Sequence, residues 1–303
     1  MNPLPPPPRP SLVVSERFPE PPMADAPPAP DAAFAFAASA TAQMERLLAD
    51  LGRVYRERNT ALHDLEQSHL ETLMRLAVAA ELRDGDTGVH ILRLGYLAEA
   101  LARDLGVPTP VARHLRLAAP MHDIGKIGIA DDVLKKPGQL TPEERQLMSA
   151  HPRMGADILG HSNIPLFELA AEVALHHHER WDGGGYPAGL KGAEIPLSGR
   201  IVAVVDFFDA LTMDRCYRPA YDDEVALEML AAEAGRLFDP EIVATFLANA
   251  PGLIALRDWV NLTQPSFAQM ADRETVQPAP AAQCCKPTRD LLREPDYFRQ
   301  GDL

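Results

Sequence analysis

Residues 91–108 read ILRLGYLAEALARDLGVP, and this stretch decides the fold class. Leu94, Leu97, Leu101 and Leu105 recur at steps of three and four, which lines one face of an α-helix. Gly106 and Pro108 close it, because glycine accepts the left-handed turn after a helix and proline cannot extend one. The turn-like Asp84-Gly85-Asp86 stands before it. Downstream, Val111 to Ala119, Thr141 to Leu159, Leu166 to His176, Arg200 to Met213 and Asp223 to Leu237 repeat the helical pattern. No run of alternating strand residues competes with them. The sequence predicts an all-α fold, with glycine and proline loops at Lys136-Pro137-Gly138 and across residues 182–187.

On either side of this core the composition changes. Residues 1–38 are dominated by proline and alanine and are expected to form a disordered arm, since they carry too little apolar surface to offset the entropy of ordering. Residues 39–76 are expected to form a helical stalk. Met44, Leu48, Leu51, Tyr55, Arg58, Leu62, Leu65, His69, Thr72 and Leu76 follow alternating steps of four and three, a heptad seam interrupted by Arg58 and His69. Such a seam either packs on its own domain or pairs in a parallel homodimer. Residues 77–262 are expected to be the functional domain, and 263–303 a polar, flexible tail holding the incidental pair Cys284-Cys285.

The chain has 303 residues, of which 46% are apolar, enough for one substantial core. A formal charge of −14 argues against binding a DNA or RNA duplex, which requires a basic stripe to displace counterions. Three cysteines without C-x-x-C spacing fit a reducing cytoplasm. No secretory signal and no membrane-spanning run is legible.

The chemistry lies in eight side chains: Asp86, His90, His122, Asp123, His151, His177, His178 and Asp206. Asp86 and His90 are four apart, the spacing of one helical face. His122-Asp123 lies in the apolar run AAPMHDIGKIGI (118–129), and Asp206 in RIVAVVDFFDAL (200–211). His177-His178 follows Val173-Ala174-Leu175. Buried imidazoles and carboxylates are costly unless satisfied, and a divalent cation satisfies both. Without a thiolate, the set suits iron, manganese or zinc in hydrolysis. A cation so held can activate water for hydrolysis. Lys126, four after His122, points to the same side.

The runs HDIGK (122–126) and HHERWDGGGYP (177–187) resemble the HD-GYP family, a branch of the HD phosphohydrolases. ELRDGDTGVH (81–90), KPGQLTPEE (136–144), His151 with Gly155, and DFFDALTMDRCYR (206–218) extend the resemblance over roughly residues 75–250. It implies an HD-type helical bundle around two or three divalent ions, iron or manganese with zinc as the alternative. It also implies hydrolysis of cyclic di-GMP by a metal-bridging hydroxide to pGpG, with GMP as a further endpoint. His122, Asp123, His151, His177, His178 and Asp206 match the shared ligands, Asp123 as the bridge. His90 matches a further one, and Asp86 stands where some members carry a third-ion glutamate. Lys126 and Asp123 are the implied catalytic residues. Tyr186, Arg215, Arg218 and Asp209 are the implied substrate contacts. The GYP loop implies a diguanylate cyclase domain as a partner. The alternatives are hydrolysis of another cyclic dinucleotide or nucleotide, and a catalytically silent receptor.

Overall fold

A computed structural model describes residues 30–84, 88–214 and 219–271. Among these, every regular element is helical, and the one bridge pairs Ala234 with Phe238. In chain order the helices are α1 (Pro30–Asp84), α2 (Val89–Asp104), α3 (Thr109–Ala118), α4 (Asp131–Leu134), α5 (Pro142–Met148) and α6 (His151–Leu159). There follow α7 (Pro165–His176), α8 (Leu197–Leu211), α9 (Asp223–Ala232), α10 (Pro240–Ala248), α11 (Ala250–Thr263) and α12 (Phe267–Ala271). Two 3-10 turns, Ala119–Met121 and Ile124–Gly128, lie between α3 and α4. None of the described helices is long and apolar enough to cross a membrane.

The chain divides into two units, the first ending at Leu62 and the second beginning at His63. Within the first, the seam residues Met44, Leu48, Leu51 and Tyr55 are all exposed. In the second, α1 buries Leu70, Leu73, Met74, Ala77 and Ala80. The second unit is built on α2, whose Leu94, Leu97 and Leu101 are fully buried and which packs against α3, α8 and α11. Helix α7 packs on α3, α6 and α8 and carries the core towards the histidine-rich end.

Four sequence expectations are corrected. Helix begins at Pro30 rather than after residue 38: proline suits a first helical position, and the alanine-rich run 32–42 has high helix propensity. The domain extends past residue 262, because α12 brings the fully buried Met270 onto the core. The single helix expected over 141–159 is two helices. A capping box between Thr141 and Glu144 starts α5, and Pro152, which has no N–H to give the carbonyl of Met148, separates α5 from α6. Finally, α9 stops at Ala232, after which the Glu233 carbonyl accepts the N–H groups of Arg236, Leu237 and Phe238. The arm before Pro30 and Cys284-Cys285 lie outside the described residues.

Candidate metal centre

Most of the expected ligands converge, and the fold brings them together at element ends. His122 caps the first 3-10 turn, Asp123 precedes the second, His151 opens α6 and His177 closes α7. Carbonyls at helix ends can accept a further bond, and three histidines use them. His122 Nδ1 donates to Ala119 O at 3.1 Å, His151 Nδ1 to Met148 O at 2.8 Å and His177 Nδ1 to Ala174 O at 2.9 Å. The Met148 carbonyl is the one that Pro152 leaves unfilled. A carbonyl can only accept, so each Nδ1 carries a proton and each Nε2 is the nitrogen left to face the site.

His90 reaches the same orientation by another route. It stands in the first turn of α2, and its Nδ1 lies 2.6 Å from Asp209 Oδ2 on α8. Arg93 holds both oxygens of Asp209, through Nε at 2.6 Å and Nη2 at 2.8 Å, and Asn261 accepts from Arg93 Nη1 at 3.0 Å. Asp209, expected to contact substrate, is thus fully buried behind His90 with both oxygens engaged, and acts on the site through that imidazole. Burial would raise its pKa, but His90 and Arg93 hold it down at about 2.

Asp123 sits between two clusters. Its Oδ1 lies 3.1 Å from His151 Nε2 and 3.5 Å from His177 Nε2, and its Oδ2 lies 3.1 Å from His122 Nε2 and 2.8 Å from Lys126 Nζ. Asp123, His151, His177 and His178 can direct one ligand atom each into a space where these atoms lie within 4.8 Å of one another. Glu81, His90 and His122 do the same in a second group, and Asp206 Oδ1 is 3.5 Å from His90 Nε2 and 3.9 Å from His122 Nε2.

The donors fit divalent cations, as two features indicate. His122 Nε2 and Asp123 Oδ1 are buried without a hydrogen-bond partner although each has a polar neighbour at 3.1 Å, so they face a shared point rather than each other. The Nε2 atoms of His151 and His177 also meet at 3.3 Å, an awkward approach for two lone pairs unless something lies between. The charges of the clusters differ. At His122 burial alone would lower the pKa, but Asp123, Asp206 and Glu81 raise it to about 9. At His178 burial and the neighbouring His177 and His151 push it well below the ordinary value, and at His177 burial again prevails. Asp123 is held well below the carboxylate range: burial opposes this, but Lys126 and His122 outweigh it.

Glycines allow the approach. A Cβ on Gly125 would stand 1.9 Å from His151 O and 2.5 Å from Gly155 N, so only glycine lets the Asp123–Lys126 turn lie against α6. In the loop 183–187 only Gly183 uses a left-handed angle, φ 85°, whereas Gly185 is needed for space, its Cβ falling 2.3 Å from Arg180 N. Tyr186 lies over His178 with centroids 4.8 Å apart and planes 29° from parallel. Buried Glu179 secures the loop by accepting from Ala188 N at 2.7 Å and Leu190 N at 2.9 Å.

Three expected residues, Asp86, Arg215 and Arg218, lie outside the described residues. The sequence reading missed Glu81, the Asp209–Arg93 support and the Glu179 tether. Glu81 had a signal: it continues the buried stripe Leu70, Met74, Ala77 at the next helical step. The other two depend on contacts between distant segments.

Residues 45–242 match the HD domain family, so the chain belongs to that family, and the resemblance to its HD-GYP branch holds. It is 46% identical over 187 residues to the cyclic di-GMP phosphodiesterase response regulator RpfG of Xanthomonas campestris pv. campestris, covering 62% of this chain and 50% of that one. It is also 46% identical over 184 residues to a cyclic di-GMP phosphodiesterase of Thermotoga maritima, covering 61% and 50%. To the 3'3'-cGAMP-specific phosphodiesterase 2 of Vibrio cholerae it is 41% identical over 194 residues, covering 64% and 37%. The chain thus spans about half the length, or less, of these curated relatives.

Proposed function

We propose that the protein is a metal-dependent phosphodiesterase that hydrolyses cyclic di-GMP to pGpG, with GMP as a further endpoint. The observation that carries this reading is the Asp123 carboxylate, one oxygen turned to His151 and His177 and the other to His122 and Lys126. Such a carboxylate can hold two cations side by side. The proposed ligands are Asp123, His151, His177 and His178 in one group, and His90, His122 and Asp206 in the other, with Asp86 the sequence candidate for a third ion. Iron or manganese is proposed, with zinc as the alternative. When bound, such ions supply Lewis acidity and an activated water for in-line displacement at phosphorus.

The chain's own residues have separable tasks. The Nδ1 partners of the histidines fix their tautomers before any ion arrives. The Lys126 ammonium, now on Asp123 Oδ2, is placed to take a phosphate oxygen. Tyr186 presents an aromatic ring beside His178 for a guanine base, while Arg215 and Arg218 are proposed to fork onto the phosphates. The relatives named for cyclic di-GMP support this substrate, and the relative named for 3'3'-cGAMP makes that dinucleotide the competitor to assay beside it. Two partners belong to the same reading: a diguanylate cyclase domain on the GYP loop, and a second copy of the chain along residues 44–76. The exposed seam residues support the second. A cytoplasmic location accompanies this substrate.

The test is anaerobic purification with metal analysis, then turnover of each dinucleotide with ferrous or manganous ion. Linear pGpG from cyclic di-GMP, absent with the double variant His122→Ala/Asp123→Ala, is the expected outcome. Faster turnover of 3'3'-cGAMP would overturn the substrate, and bound metal without any product would overturn the enzyme.

A further inference from the structure

We propose that Glu81, in the last turn of α1, is a metal ligand that shares one cation with His90 and His122. The inference rests on the metal-centre reading above and adds a residue to it. One ligand atom of each residue lies within 4.8 Å of the other two, and all three residues are buried, Glu81 being only 4% exposed.

The position of Glu81 on its helix makes this burial informative. Leu70, Met74, Ala77 and Glu81 follow steps of four, three and four along one stripe of α1. The first three enter the core, so the helix delivers a carboxylate where an apolar side chain would serve packing better. A buried carboxylate is retained only where something satisfies it. The two imidazoles it meets are arranged to bind a cation. His90 has its Nδ1 occupied by Asp209, which directs Nε2 inward, and His122 has its Nδ1 occupied by Ala119 O and its Nε2 without a hydrogen-bond partner. Asp206 Oδ1 borders the same space. The end of α1 is also fixed in place. Arg83, two residues on, donates to the carbonyls of Lys126 at 3.2 Å and Ile129 at 2.6 Å and to Asp131 at 2.8 Å. The helix turn bearing Glu81 is therefore fastened to the segment that follows His122 and Asp123.

The test counts metal in the full chain, purified anaerobically and loaded with manganous ion, for wild type, Glu81→Gln and Asp86→Asn. The expected result is one equivalent fewer in Glu81→Gln than in wild type, or at least tenfold weaker retention of that equivalent against a chelator. Loss in Glu81→Gln supports the assignment whatever Asp86→Asn does. Wild-type content and retention in Glu81→Gln would overturn it. Should that variant fail to fold, anomalous scattering from wild-type crystals at the manganese edge decides: a peak shared by Glu81, His90 and His122 supports the proposal, and ions present elsewhere but not there overturn it. Metal is counted without substrate, so a wild type that holds its ions but turns nothing over would count against the phosphodiesterase reading alone.

Discussion

The two clusters that meet at Asp123 use the same kinds of side chain and are assembled differently. His151 and His177 are locked by carbonyls three residues away in their own segments, so their geometry is fixed by local chain folding. His90 is locked by Asp209, 119 residues along the chain, which is itself held by Arg93. One cluster is short-range and lowers the pKa of His177 and His178. The other has a long-range lock at His90, is rich in carboxylate, and raises the pKa of His122 to about 9. The same ligand type can thus be made ready in neutral form or held as a cation, according to what surrounds it.

Changing the shared carboxylate breaks both clusters at once. Asp123→Ala is expected to lose metal from both and to reduce turnover to background, as read by metal analysis and product formation. Asp209→Ala acts on one side only. It leaves the guanidinium of Arg93 buried without its counter-ion, at a cost of about 3–5 kcal/mol in chemical denaturation. It also weakens metal retention by about 10–100-fold, the usual consequence of removing a partner behind a ligand. Equal loss of all ions in Asp209→Ala would contradict the division into two clusters.

Proton release on metal binding sharpens the comparison. At pH 7.5 His122, with a pKa of about 9, holds a proton that ligation must expel, whereas His177 and His178, lowered from their ordinary value, have none to give. Calorimetry in buffers of different ionisation enthalpy should therefore show proton release for an ion entering at His122, diminishing as pH rises through about 9. A release independent of pH from 7 to 10 would contradict this assignment. Gly125→Ala tests how closely the Asp123 turn and α6 must approach. Overpacking there is expected to cost roughly 1–3 kcal/mol of stability, with weaker metal retention at His151. The smallest effect is expected of Pro152→Ala, which returns an N–H to compete for the Met148 carbonyl. Retention should fall by no more than about tenfold, the lower end for partners behind a ligand, as measured by chelator competition.

The same contrast explains what the sequence made legible. Helical repeats such as Leu94, Leu97 and Leu101 report burial directly, and the all-α class follows from them. His122, Asp123, His177 and His178 lie in or beside short apolar runs, which mark them as buried, whereas His151 joined the set through the resemblance. Asp209 was placed among the substrate contacts by resemblance alone, because its two partners are on α2 and no local pattern encodes that meeting. Glu81 lies nine residues before His90, and no local spacing links them, because α1 ends at Asp84 and a separate helix begins at Val89. The break between α5 and α6 was announced by Pro152 yet outweighed by the apolar periodicity around it.

That proline has a consequence for where a proton resides. An imidazole offers two nitrogens to one hydrogen, and in water the choice between them is nearly free. By withholding its own N–H, Pro152 leaves an acceptor beside His151 that claims the hydrogen on the outer nitrogen. A residue with no ionisable group thereby sets the protonation pattern of one that has, and it does so as soon as the backbone folds.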